Sequence, residues 1–288
     1  MPYAQEINRQ NKALFVFLLD QSLSMEETTA NSGERKIDAL CSSLNAWLVK
    51  LMVACWKAEG VKNYFDISII GYGSDQQANP IIGSAIIGPL AGREVVTIAE
   101  LSENPARIDT VTAVMYDEET GEMREMPQQM PVWVDPVLQG ATPICSAIVK
   151  ACEILDAWIA QHPNSFPPIV INITDGESSE GDPIPYTGTL KQRETSDGNV
   201  LFFNCCFSST AAPFLFPGNG ELMPDSFLRQ VFQMSSVLPE AIREKARRAG
   251  QELEPNARGM ACNADMVSLI NFLDMGFGRD GGSVCFSG

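Results

Sequence analysis

Basic residues, histidine and paired cysteines are what this chain of 288 residues is short of. Lys and Arg number 20 against 36 Asp and Glu, a net charge of -16. A surface of that sign repels phosphate backbones and anionic lipid, so neither nucleic acid nor membrane is expected as a partner. It favours cations. The single histidine, His162, precedes Pro163 at a helix end and reads as a plain surface residue. No C-x-x-C pair accompanies it, so a zinc site is not expected. No apolar run reaches the roughly 18 residues of a membrane span. Residues 1–12, MPYAQEINRQNK, hold no apolar segment of the secretory kind. The eight cysteines do not form a disulfide framework by spacing. Cys41, Cys55 and Cys152 fall on apolar helix faces, Cys145 one turn from such a face, and Cys205 and Cys206 in an apolar run. Free buried thiols, as small hydrophobes, are the expectation, and with them a reduced, cytoplasmic protein.

What the chain does have is an α/β pattern. ALFVFLL (13–19) reads as a strand buried on both faces. Ile37, Leu40, Cys41, Leu44, Trp47, Leu48, Leu51, Met52 and Cys55 then recur at helical spacing, which predicts an amphipathic helix ending at Gly60. YFDISIIGYG is a second strand, and TPICSAIVKACEILDAWIAQHP a helix with Thr142 at the N-cap and Pro143 at N1. FPPIVINITDG and NVLFFNCCFS are two more core strands. This order predicts right-handed crossovers and a mostly parallel, Rossmann-like sheet covered by helices on both faces. The helical pattern lapses over 76–139, where VTAVMYDEETGEMREMP reads as a hairpin. That region is expected to form an antiparallel edge or lid-like insertion. Helices are expected near 225–237, 240–249 and 263–275. No repeat or linker divides the chain, so one domain over 1–288 is expected, with its core at about 12–275 and a helical extension at about 222–276.

LFVFLLDQSLSMEETT (14–29) carries the chemistry. A buried strand ends in Asp20, and Ser22 and Ser24 follow at alternate positions. A loop with that spacing can aim a carboxylate and two hydroxyls at one point. These are hard oxygen donors, suited to Mg²⁺ or Mn²⁺ rather than zinc or copper. Mg²⁺ wants about six oxygens, so one loop is not enough. Thr142, opening a helix in QGATPICSA, and Asp175, ending a strand in INITDGES, stand in the right topological places. Glu26 and Glu27 are expected to line the rim, and Ser178 and Ser179 to lie on a surface loop. Alone, each of these residues has a plainer reading as a turn or cap; their joint occurrence points to a site.

D-x-S-x-S after a first strand, a Thr at a later helix start and T-D-G at a later strand end resemble the metal-ion-dependent adhesion site of von Willebrand factor type A (vWA) domains. The resemblance runs from about residue 12 to about 275. It implies five metal ligands, Asp20, Ser22, Ser24, Thr142 and Asp175, acting directly or through water, and a bound Mg²⁺ (or Mn²⁺ or Ca²⁺). HPNSFPPIVINITDGES, TSDGNVLFFNCCFSS, MSSVLPE and ARGMACNADMVSLINFLDMG are similar to segments of stand-alone bacterial vWA proteins. That second resemblance implies an association with kinases, phosphatases and tellurite-resistance clusters, and so a signalling or stress-response setting.

Two function classes follow. One is a metal-dependent protein-interaction module, not an enzyme, whose partner presents Glu or Asp. The other is a phosphotransferase or hydrolase using Asp20 as nucleophile. In the latter an acid would stand two residues after the first aspartate, but Ser22 cannot do general-acid work near neutral pH. No phosphate-binding G-x-x-x-x-G-K-[ST], no nucleophile elbow and no His beside a serine supports catalysis.

Overall fold

The computed structural model describes residues 2–29, 33–117, 122–209, 212–248, 250 and 252–263, with backbone alone for 113–117 and 122–123. The helix expected at 263–275 lies outside them, apart from Asn263.

Strand β1 (Ala13–Asp20) is buried at all eight positions. Its alternate residues feed two opposite cores. Phe15, Phe17 and Leu19 pack with helix α1 (Lys36–Ala54), while Leu14, Val16 and Leu18 pack with helix α3 (Ile144–Gln161). Between these helices run the hairpin arms β2 (Trp56–Lys57) and β3 (Gly60–Val61), then β4 (Phe65–Ser74), β5 (Pro80–Ser84), β6 (Val96–Thr97), helix α2 (Ile98–Glu103), and β7 (Arg107–Asp117) with β8 (Glu122–Val132). After α3 come β9 (Ile169–Thr174), helix α4 (Ile184–Leu190), the hairpin β10 (Glu194–Thr195) and β11 (Gly198–Asn199), and β12 (Leu201–Cys206). The described chain closes with β13 (Phe214–Leu215), helices α5 (Ser226–Met234) and α6 (Glu240–Arg248), and β14 (Met260–Cys262).

The main sheet has the order β13-β14-β12-β9-β1-β4-β5, with β6 also on β4. β14, β12, β9, β1 and β4 are mutually parallel, and β13, β5 and β6 are antiparallel. The expected class is therefore found: a mostly parallel sheet with helices on both faces. The 76–139 region supplies the antiparallel edge and the β7–β8 hairpin, which among the described residues pairs with no strand of the main sheet. By length and composition alone α1 is apolar enough to cross a membrane. Its stripe from Ile37 to Met52 lies instead on the sheet.

Three local expectations are corrected. Helix α1 stops at Ala54, with Cys55 as its C-cap, because Trp56 pairs with Val61 in the small hairpin and the Lys62 amide donates to the Cys55 carbonyl. Helix α3 starts at Ile144, with Pro143 rather than Thr142 as N-cap. Its first turn is capped from outside: Glu180 accepts from the Ser146 amide (2.8 Å) and hydroxyl (2.5 Å). His162 is not a plain surface residue. It is the C-cap of α3, its ring lies 4.5 Å from that of Trp158, and burial lowers its pKa below the ordinary 6.5.

A row of polar groups crosses the apolar face toward α5. Tyr72 donates to Asn172 Oδ1 (2.9 Å), Asn172 to Asn204 Oδ1 (3.0 Å), and Asn204 to Ser235 Oγ (2.8 Å). All four residues are buried, and each link is satisfied.

Candidate functional site

The carboxyl ends of β1 and β9 lie side by side, with Leu19 in register with Ile173. Asp20 therefore stands beside Thr174. The Thr174 hydroxyl donates to Asp20 Oδ2 at 2.6 Å, and the Ser22 amide donates to Asp20 Oδ1 at 2.9 Å. Past Asp20 the chain leaves the sheet in a 3-10 turn over Leu23–Glu26. Met25 is fully buried in the α1 core and pins that turn, while Leu23 is 56% exposed beside it. The pinned turn directs Ser22 and Ser24 to the same side, with their hydroxyls 2.9 Å apart.

Two further loops close on this one. Ser24 donates to Asp175 Oδ1 at 2.6 Å. Thr142 comes in on the segment before α3 and is 7% exposed. A methyl group placed on Gly176 would lie 3.8 Å from Ser24 Oγ and 3.9 Å from Thr142 Oγ1, so these hydroxyls flank one point. Backbone ties hold the arrangement. The Leu23 amide donates to the Gly140 carbonyl, and the Ser179 amide to the Thr142 carbonyl, each at 3.0 Å. Gly140 has φ of +46°, and a side chain there would strike Ser74, so only glycine lets this loop approach the sheet end. All five residues singled out from the sequence thus meet at one rim.

The electrostatics are those of confined carboxylates. Burial pushes the Asp20 pKa up to about 6; hydrogen bonds from Thr174 and Ser22 oppose it, and the Asp175 charge adds to it. The Asp175 side chain is also shut off from solvent, and Lys36 Nζ donates to its Oδ2 at 2.8 Å. The same ammonium reaches Glu27 Oε2 at 2.7 Å. Glu26 and Glu27 are exposed on the rim, as expected. Ser178 is half-buried, its Oγ 3.6 Å from the Cys145 thiol, and Ser179 is exposed.

Among the described residues no group of three or more His, Cys, Asp or Glu gathers at a point. The five side chains are two carboxylates and three hydroxyls, all oxygen ligands. Such a donor set suits a hard divalent cation with part of its coordination left to water or a ligand. The donor set fits Mg²⁺ or a similar ion, while the Lys36 ammonium already places one positive charge on Asp175.

Sequence reasoning passed over two residues. Thr174 read as part of the strand, although its β-register with Asp20 makes it the carboxylate's direct partner. Lys36, just before the first apolar helix position Ile37, was given no role. A signal was there: a lysine at a helix N-terminus opposes the macrodipole and invites a search for a local anion.

No known family profile matches the chain, and no curated protein matches it. Among solved structures it is similar to the vWF domain of the type V pili tip protein Mfa5 of Porphyromonas gingivalis. Identity is 8%, coverage 95% of this chain and 99% of that one, and the TM-score 0.43. The ArnB paralog VWA2 of Sulfolobus acidocaldarius gives 15% identity over 68% of this chain and 35% of that one, with a TM-score of 0.34. The pilus adhesin RrgA of Streptococcus pneumoniae gives 15%, 61%, 22% and 0.32. The chain spans 20% of the three-domain Mfa5 structure, so that one, VWA2 and RrgA are each mostly outside the match. At these identities and scores the likeness carries no argument about the site or its activity.

Proposed function

We propose that this chain is a vWA-type module that binds a protein partner through a divalent cation. Mg²⁺ is the expected ion, with Mn²⁺ or Ca²⁺ as chemical equivalents, and Asp20, Ser22, Ser24, Thr142 and Asp175 would hold it. The observation that carries the reading is the convergence of those five oxygen-bearing side chains from three loops at one sheet end. When bound, the ion supplies an electrophilic position that a Glu or Asp of the partner fills.

The chain's own residues do the rest. Thr174 and the Ser22 amide hold Asp20 in one orientation, with both oxygens engaged. Ser24 links Asp20's loop to Asp175's. Exposed Leu23 offers apolar contact next to the hydroxyls. The partner class that the resemblance implies is a kinase or phosphatase in a bacterial signalling or stress response, tellurite resistance included; the free thiols favour the cytoplasm. The enzyme alternative would use Asp20, at the end of β1, as nucleophile, and it is separated from the binding module by the turnover arm of the test.

The test is capture of partners from the source cell in Mg²⁺, in EDTA, and with Thr142→Ala. Capture is expected in Mg²⁺ with the wild-type chain alone. Full-strength capture in EDTA refutes the metal bridge. Phosphoester turnover that vanishes in Asp20→Ala establishes the enzyme instead.

A further inference from the structure

We propose that Lys36 is a built-in counter-cation of this site and sets how tightly the site takes a divalent ion; the inference rests on the metal reading above. Lys36 is the first residue of α1, where the helix already presents partial positive charge and a lysine is disfavoured. It is nevertheless held there with a side chain only 14% exposed. Its ammonium bridges Asp175 Oδ2 at 2.8 Å and Glu27 Oε2 at 2.7 Å. The other Asp175 oxygen accepts from Ser24. Both Asp175 oxygens are thus engaged by the chain's own groups, although the side chain is closed to solvent.

A carboxylate so enclosed needs a counter-charge, and here the chain carries its own. The same charge works against an incoming ion. Lys36 and a divalent cation are attracted to one carboxylate and repel each other, so the ion meets a site already partly neutralised. At the effective dielectric of a protein rim, removing one positive charge at this range should tighten ion binding by at least about tenfold. Glu27 pulls the other way. It is exposed on the rim and gives the ammonium a second partner, so it lowers the net positive charge the ion encounters. The pair thus tunes the site with opposite signs. A partner's carboxylate would offset the Lys36 charge, so ion and partner would be taken up together, each strengthening the other.

The experiment is Mg²⁺ calorimetry, with thermal melts in EDTA and in saturating Mg²⁺, on the full chain. Lys36→Gln should bind Mg²⁺ at least about tenfold more tightly than wild type. It should melt below wild type in EDTA, and the gap should close in Mg²⁺. Lys36→Arg keeps the charge and should follow wild type. Glu27→Gln, an exposed change that leaves the fold alone, should weaken Mg²⁺ binding. Lys62→Gln, whose lysine pairs with Glu59 before β4, should change nothing. The proposal is overturned if Lys36→Gln binds Mg²⁺ no more tightly than wild type, if it melts with wild type in EDTA, or if Glu27→Gln shifts affinity in the same direction. Thr142→Ala separates the two levels. Wild-type affinity in that variant removes Thr142 from the site and counts against the metal reading, while the Lys36 comparison still stands. No Mg²⁺ uptake by wild type and Lys36→Gln alike overturns both.

Discussion

Replacing Asp20 with Asn should stabilise the protein in EDTA. Its carboxylate is held at the end of β1 with no exposure, and burial raises its pKa from the ordinary 3.8 to about 6. At 1.36 kcal/mol per decade this gap corresponds to about 3 kcal/mol of cost for keeping the group charged in the folded chain. The sign follows from the raised value. Stability is full below the unfolded pKa near 3.8 and is lost as pH rises to the folded value near 6. Above that it is flat. Asn keeps the acceptor for the Ser22 amide, and the Thr174 hydroxyl can turn to the Gly176 carbonyl 3.3 Å away. The variant should therefore gain about 3 kcal/mol at pH 7 and about half of that at pH 5. Guanidinium unfolding of both proteins in EDTA at several pH values measures it. With Mg²⁺ added, wild type should recover the difference and Asp20→Asn should not respond. If the variant is less stable than wild type at pH 7 in EDTA, the carboxylate is not strained and the reasoning fails.

Other changes reach the site from different sides. Thr142→Ala should cut the Mg²⁺-induced rise in melting temperature by more than half while moving the EDTA melt little; Ser24→Ala should cut it as much but also lower the EDTA melt, because it leaves an enclosed Asp175 oxygen without its donor. Gly140→Ala should cost on the order of 1–3 kcal/mol, since a side chain must adopt positive φ and clash with Ser74; the Mg²⁺ response should weaken with it. Asn172→Leu strands the Tyr72 hydroxyl and the Asn204 carbonyl in the core and should cost roughly 2–4 kcal/mol in urea unfolding, with the fold retained. A cost near zero would mean that water replaces the lost partners.

Much of this arrangement was legible because apolar runs and carboxylates alternate so sharply along the chain. Six apolar residues broken by Asp20 announce a strand end, and β9 repeats the device before Asp175. Helix α3 was legible from period and proline, but its start was not. Pro143 takes the cap position, and Glu180, distant in sequence, supplies the anion that caps the turn. β14 was missed because Met260–Cys262 is too short to show a period and is a strand only through its pairing with β12. Lys36 was missed because helical spacing explains its neighbours without it. Sequence order says which residues lie on a face; it does not say which loop end a lysine folds back to meet.

The polar row from Tyr72 to Ser235 bears on how the sheet finds its order. β1, β9 and β12 are each buried on both faces, so by hydrophobicity they are nearly interchangeable. A two-residue slide would keep every side chain on its own face and lose little burial. It would, however, separate Tyr72, Asn172 and Asn204, which meet in only one lateral order and one register. The row therefore acts as a lock against near-native decoys. A chain lacking it would be expected to collapse as readily but to populate shuffled sheets, with Asp20 and Asp175 carried to ends that never meet.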